Sequence, residues 1–381
     1  MAKVGIIYDF GVNKGGGDFV MLKIIEALLS KGYDTSLMTS YPGGLQEAAN
    51  FFGRRSPNVE INCIKVPYLL KHPYTIAFMA KKIVKSEHYD VYIVSDDVPT
   101  CISNKKGICY AHYSHAARFK FKDYVAERYR KSLSGRLIWQ IHKALFPRYY
   151  LTTTKPKDWL FISNSLLTRD HLAKVFHTDK DDIALLNPPV ASREIDSYRR
   201  NERIEKEDIA VCIGRFEREK RFIDVLHAIA HLKNRPKLSL IGFTNSEREL
   251  MKVIKALGLS NDVELIFDAD RKTVINRLLM AKVIIHPTPH EPFGIAVVEG
   301  MAAGCVPIVR KGFNGPWMEI TQEGRYGLGF NSIKGLANAL KRAVKDYGSF
   351  NIEAIVSRAL EFDEIVFKQR FLEMFENFIT A

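Results

Sequence analysis

The sequence predicts an α/β protein built from two parallel-sheet domains in tandem. Three observations carry this: apolar runs that are nearly continuous, helical patterns between them, and a restart of the whole series after Pro188-Pro189. Continuous apolar runs suit strands buried on both faces, the condition of a parallel sheet covered by helices. A chain of 381 residues has room for two or three domains of roughly 150 residues each. With 46% apolar and 26% charged residues, the composition excludes disordered, collagen-like and coiled-coil classes.

VGIIYDF opens the series as a buried strand, GVNKGGGDFV follows as a glycine loop, and MLKIIEALLSKG is a helix closed by Gly32. Together they form one α/β unit. TSLMTS, EINCIKVP, YDVYIVS and KGICYAHY add strands, WLFISNSLLTRDHLAKVF repeats strand then helix, and LLNPPV ends a first Rossmann-like domain, 1–190. The polar stretch through Asp208 reads as the junction, near 190–207. IAVCIGRF, a helix over DVLHAIAHL, LSLIGF, a helix from about Ser246, VELIF, a further helix, KVIIHPT, a helix over IAVVEGMAAG and VPIVRKG then make a second Rossmann-like domain, 191–362. From Asp363 onward Phe367, Phe371, Phe375 and Phe378 recur at spacings of four and three, which predicts an amphipathic helix over 363–381 packed on a core. Two such domains are expected to face each other across a cleft at their strand carboxyl ends, where ligands bind.

Residues 1–190 hold 27 Lys and Arg against 17 Asp and Glu, a net of +10, whereas the remainder holds 29 against 26, a net of +3. The first half is therefore the candidate for an anionic partner. MAKVGIIYDF lacks the regions of a secretory leader, and charge interrupts every apolar run before the length of a membrane span, so the expected location is cytoplasmic. Cys63, Cys101, Cys109, Cys212 and Cys305 lack CxxC spacing, which suits a reducing compartment rather than a structural zinc site.

Lys14-Gly15-Gly16-Gly17-Asp18 lies between strand and helix, where glycines admit a ligand close to the backbone and the helix start favours an anion. It is neither a Walker loop nor GxGxxG, so a dinucleotide oxidoreductase is disfavoured; a plain tight turn is the other reading. GRFEREK places Arg215 and Lys220 after a strand, aimed where two cations would offset a diphosphate. In HPTPHEPFGIAVVEGMAAGCVPIV, Glu291 stands in a loop and Glu299 within the helix that starts around Gly294. One carboxylate suits sugar hydroxyls and the other ribose hydroxyls, while the N–H groups of Phe293, Gly294 and Ile295 are expected to be exposed at the helix start. His112 and His115 end the strand in CYAHYSH; sugar contact by His112, a structural histidine, and zinc with Cys109 are the three readings. Asp96-Asp97 are expected to cap the next helix, and Asp268 and Asp270 to act as a helix cap rather than a metal-binding DxD. No metal ligand set is assigned.

Nine basic residues from Arg118 to Arg148 stand against Asp123 and Glu127, mixed with aromatics including Trp139. An anionic membrane surface or lipid-linked acceptor suits this composition; a solvated helical pair is the plainer reading. No recognisable nucleic-acid module accompanies it, so nucleic acid is disfavoured as a partner.

The KGGGDF loop, GRFEREKRFIDVLHAI, HEPFGIAVVEGMAAGCVPIV with its Glu-x7-Glu pair, and SNS followed by NPPV together resemble the family 4 glycosyltransferases of the GT-B fold. CYAHYSH, FISNS and NPPV are also similar to the mannosyltransferases that extend pyrophosphate-dolichol oligosaccharides. The resemblance implies an acceptor-side first domain, a nucleotide-sugar-binding second domain, and a last helix that braces the first. It implies a retaining hexosyltransferase that needs no metal or other cofactor. The donor would be a nucleotide-diphosphate sugar, GDP-mannose favoured over UDP-glucose, UDP-galactose or UDP-N-acetylglucosamine, and the acceptor a glycan or a polyprenyl- or dolichyl-linked molecule. Gly16 and Gly17 would then lie near donor phosphates and sugar, His112 and Glu291 at the transferred sugar, Arg215 and Lys220 at the diphosphate, and Glu299 at the ribose. A peripheral place on the cytosolic membrane face follows for a lipid-linked acceptor. A non-catalytic basic RNA- or membrane-binding protein is the reading from a different class.

Overall fold

The computed structural model of the chain describes residues 2–381 apart from 11–14, 68–72, 122–132, 203 and 243–246. It divides into two compact units, Met1–Pro189 with Ile365–Ala381, and Val190–Glu364.

The first unit is a seven-stranded parallel sheet of β1 (Lys3–Ile7), β2 (Asp34–Thr39), β3 (Glu60–Cys63), β4 (Val91–Ser95), β5 (Gly107–Ala111), β6 (Trp159–Ser163) and β7 (Ala184–Leu185). Their order across the sheet is β3-β2-β1-β4-β5-β6-β7. Side chains alternate between faces along a strand, and both faces are covered. From β4, Val91 and Ile93 enter one apolar cluster while Tyr92 and Val94 enter another. That double burial is why the strand sequences are continuously apolar.

The second unit is a six-stranded parallel sheet of β8 (Glu207–Ile213), β9 (Lys237–Gly242), β10 (Val263–Phe267), β11 (Ala281–His286), β12 (Val306–Arg310) and β13 (Leu328–Phe330), in the order β10-β9-β8-β11-β12-β13. Each unit is a Rossmann-like parallel sheet, and the two together are the GT-B fold class.

The stretch near 190–207, read from sequence as a junction, largely folds as the helix Ser192–Glu202 of the second unit. Its one apolar anchor, Ile195, is fully buried in that unit's core. Asp363 accepts hydrogen bonds from Ser192 Oγ at 3.1 Å and Arg193 N at 2.9 Å at the helix start. A helix held by a single isoleucine and local polar bonds has a weak apolar period, so composition alone reads it as linker.

The last helix, Glu364–Thr380, lays Phe367, Phe371 and Phe375 into the same core as Val4 and Ile6 of β1. Phe378 is only partly buried against that core. Replacing Phe371 by Ala should destabilise the first unit by about 3–5 kcal/mol, and Phe378→Ala should cost much less. Chemical denaturation of the two variants against the parent measures both values.

Candidate functional site

In an open parallel sheet, the carboxyl ends of two neighbouring strands whose connections run in opposite directions leave a crevice. The second unit has this point between β8 and β11, and the first between β1 and β4. Lys220 and Glu291 stand at the first of these points, and Gly16 and Gly17 follow β1 at the second.

In the second unit, β8 runs into the loop that carries Lys220, and β11 ends at His286 ahead of the loop that carries Glu291. Lys220 Nζ lies 2.6 Å from Glu291 Oε2. His286 Nε2 lies 3.2 Å from the same oxygen, and since an ionised carboxylate only accepts, the ring donates there. Burial by itself would push the Glu291 carboxyl up; the Lys220 charge, together with the His286 hydrogen bond, overrides it and holds the group well below the usual carboxylate range. The site therefore contains a mostly buried carboxylate that stays ionised, with its second oxygen left over for a hydroxyl donor.

The turn after Glu291 is built by Gly294, which stands at φ 100° as the cap residue before the helix Ile295–Ala302. A Cβ there would be strained and would meet Pro316 Cγ at 2.9 Å. The Asn314–Pro316 stretch packs over this turn, with Gly315 N donating to Glu291 O at 3.0 Å. For that reason Phe293 and Gly294 are buried rather than exposed as the sequence reading expects, and the Phe293 ring sits against Phe362. Ile295 is half-buried.

Glu299 does not join Glu291. Its carboxylate is ion-paired with Arg271, the first residue of the helix Arg271–Met280. Burial tends to lower the Arg271 pKa, but Glu299 outweighs it and the guanidinium is held more firmly charged than usual. The preceding acid, Asp270, caps that helix by accepting from Thr273 N at 2.8 Å. Arg215 is exposed and lies 3.3 Å from Glu217; the structure does not bring it into the Lys220–Glu291 pair.

In the first unit, Gly16 and Gly17 open the helix Gly16–Ser30 behind Gly15, which has no side chain to cap the first N–H groups. A Cβ on Gly17 would lie 3.2 Å from Tyr8 Oη and 3.6 Å from His112 Nε2, so the glycine keeps that small space open. Tyr8 Oη donates to Asp18 Oδ1 at 2.9 Å. Asp96 accepts from His112 N at 2.8 Å and Tyr113 N at 2.7 Å. His112 Nε2 is buried and, among the described residues, makes no hydrogen bond. Burial pushes the His112 pKa down against the pull of Asp96, so the ring is neutral at pH 7. A buried polar nitrogen without a partner, beside an uncapped helix start, is a place where a ligand hydroxyl would relieve a desolvation cost. Lys14 lies outside the described residues.

Asp97 caps the next α-helix along the chain, as the sequence reading expects. It accepts from Ser114 Oγ at 2.6 Å and His115 N at 2.7 Å, at the start of His115–Lys120. His115 is thereby tied into the structure, with its ring on Phe146. Among the described residues no group of three or more His, Cys, Asp and Glu is arranged to hold a metal ion.

Sequence reasoning passed over His286, Thr288, Arg271 and Tyr8. Thr288 Oγ1, like His112 Nε2, is buried without a hydrogen-bond partner among the described residues. The available signal was a polar residue directly at or after the end of an apolar strand, which holds for Tyr8, His286 and Thr288.

Residues 194–354 match the family model of the group 1 glycosyl transferases. The chain is related to that family. A GDP-Man:Man(3)GlcNAc(2)-PP-Dol alpha-1,2-mannosyltransferase of Neurospora crassa is 24% identical over 284 residues, 66% of this chain and 50% of that protein, so the chain spans about half of that relative's length. An uncharacterized glycosyltransferase of Methanocaldococcus jannaschii is 23% identical over 353 residues, 85% of this chain and 84% of that one. Among solved structures, a sucrose-phosphate synthase of Thermosynechococcus elongatus superposes over 100% of both chains with a TM-score of 0.76 at 16% identity, a likeness of fold. The matched span contains Lys220, Glu291 and Glu299, so the charged group at the β8–β11 point lies inside the part related to the glycosyl transferase family.

The depressed Glu291 pKa has a consequence for stability in this glycosyl transferase relative. A carboxylate lowered on folding contributes stability above its unfolded value, near 4.5, and loses it as pH falls from there. The stability gap between the parent and Lys220→Met should therefore be largest at neutral pH and should narrow steadily below pH 4.5. Urea titrations across that range measure it; a gap that widened in acid would contradict the pairing.

Proposed function

We propose that the chain is a retaining, metal-independent glycosyltransferase that moves a hexose from a nucleotide-diphosphate sugar to a hydroxyl of a glycan or a lipid-linked acceptor. The observation that carries this reading is the ionised, buried Glu291 held by Lys220 and His286 at the end of β11. A carboxylate kept charged in a mostly dry crevice is suited to accept hydrogen bonds from sugar hydroxyls, and an ammonium beside it to meet a departing phosphate. Relatedness to the group 1 glycosyl transferases supports the same chemistry.

The donor is assigned as GDP-mannose, supported by the name of the Neurospora relative, which also supports a dolichyl-diphosphate acceptor. In the reaction, the bond from the anomeric carbon to the β-phosphate oxygen breaks and its electron pair leaves with the diphosphate. The acceptor oxygen bonds to that carbon from the same face, and its proton passes to a phosphate oxygen. Lys220, with Arg215 turned from Glu217, stabilises the growing charge on the leaving group. Glu291 holds sugar hydroxyls, while His112 offers its neutral Nε2 to another. Glu299, oriented by its ion pair with Arg271, takes the ribose hydroxyls. The N–H groups of Gly16, Gly17 and Ile295 face phosphate or sugar oxygens.

A panel of GDP- and UDP-sugars against polyprenyl-linked and soluble acceptors, with the anomeric configuration of the product determined, tests the assignment. Transfer from GDP-mannose with retention is expected, and the rate should be unchanged by a chelator. Transfer from a UDP-sugar alone would replace the donor, and an inverted product would replace the mechanism. Lys220→Ala should lower kcat about 10²–10³-fold. Glu299→Ala should chiefly weaken nucleotide binding, by about 10–100-fold for a lost charge-assisted pair of hydrogen bonds, as read by calorimetric titration with the nucleoside diphosphate.

A further inference from the structure

We infer that Thr288 is a specificity-determining residue of the Glu291 site, its hydroxyl reading a hydroxyl of the transferred hexose beside the one that Glu291 holds. The inference rests on the glycosyltransferase reading of that site and deepens it. Thr288 is 7% exposed, and its Oγ1 is buried without a hydrogen-bond partner among the described residues. No other side-chain hydroxyl among those residues is left in that state.

Buried hydroxyls elsewhere in the second unit are bonded. Thr321 Oγ1 donates to Pro316 O at 2.9 Å, and Ser192 Oγ donates to Asp363 Oδ2 at 3.1 Å. Taking a hydroxyl out of water without a partner costs stability, and a valine of the same shape would avoid that cost. The hydroxyl at position 288 therefore has a bonding capacity that the chain itself does not use, and a ligand can use it.

The surroundings of Thr288 say what the ligand atom is. His286 Nε2 lies 3.2 Å from Glu291 Oε2, which draws the carboxylate back to the end of β11 and closes the segment 286–291 into a loop with Thr288 inside it. Pro287 and Pro289 flank the residue, and each proline disfavours helical backbone for the residue before it, so His286 and Thr288 are both restrained. Asn314 Nδ2 donates to Pro289 O at 3.5 Å and Gly315 N donates to Glu291 O at 3.0 Å, which pins the loop from a second side. A hydroxyl on so constrained a segment loses little freedom when it binds. Beside an ionised carboxylate a phosphate oxygen would meet like charge. A sugar hydroxyl instead donates to Glu291, and its neighbour on the ring bonds Thr288. Two groups reading adjacent hydroxyls distinguish epimers, because an inverted hydroxyl leaves Thr288 unpaired.

The test is calorimetric titration of the full chain with GDP-mannose against GDP, and with UDP-glucose against UDP, for the parent, Thr288→Val and Thr288→Ser. Binding of a sugar nucleotide by the parent checks the reading of the site, and the difference between the variants checks the role of Thr288. Thr288→Val should weaken the sugar nucleotide about tenfold and leave the nucleoside diphosphate unchanged, whereas Thr288→Ser should bind as the parent does. The thermal midpoint of Thr288→Val should equal or exceed the parent's, since an unpaired buried group is removed. If Thr288→Val does not fold, Thr288→Ala carries the comparison. Among monodeoxy analogues of the bound sugar, the one lacking the hydroxyl that Thr288 meets should bind parent and variant equally. Unchanged sugar-nucleotide affinity in Thr288→Val, an equal loss for sugar nucleotide and nucleoside diphosphate, or the same loss for every deoxy analogue would overturn the inference. So would a fall in midpoint that Thr288→Ser restores, which would assign the hydroxyl to the fold. A parent that binds no sugar nucleotide is a different failure, in which the glycosyltransferase reading falls and takes the role of Thr288 with it.

Discussion

A carboxylate placed at the end of an apolar strand stays charged only if opposite charge or hydrogen-bond donors meet it there. Glu291 satisfies that condition through Lys220 and His286, and much of the second unit is arranged to make it possible. Lys220 comes from the loop after β8 and His286 from the end of β11, so the two reach one oxygen because those strands are neighbours in the sheet. Strand order, not sequence distance, creates the pair. The close packing of Gly315 and Pro316 on the Glu291 turn then fixes where the carboxylate stands.

The first unit meets the same demand with neutral groups. Its aspartates at the end of β4 are turned onto backbone N–H groups of the segment after β5, so their charge is used in holding a loop. What remains open toward Gly17 is a neutral histidine nitrogen and a tyrosine hydroxyl already bonded to Asp18. One unit thus presents charge at its strand ends, and the other presents neutral donors and acceptors at its own.

Strands and their helices were legible in the sequence because burial on both faces writes itself as unbroken apolar runs. The cap at Gly294 was legible for a similar reason, since a glycine directly before an apolar helical period has a distinct backbone use. Ser192–Glu202 was not, because a helix anchored by Ile195 and polar contacts leaves little periodic signal. Nor was the separation of Glu291 from Glu299, or the pairing of Arg271 with Glu299 across 28 residues: ion pairs between distant segments have no local period to read. Arg215 and Lys220, five positions apart, look equivalent in sequence; the structure separates them because Lys220 turns inward to Glu291 whereas Arg215 stays with Glu217.

The first unit is discontinuous: the phenylalanines of Ile365–Ala381 complete a core begun by Val4 and Ile6. During synthesis that core is missing a wall until the ribosome has made the entire second unit. Until then the amino-terminal half lacks the cover those phenylalanines provide, whereas its neighbour's residues are contiguous. The core of the opening domain is therefore complete only once the whole chain has been made.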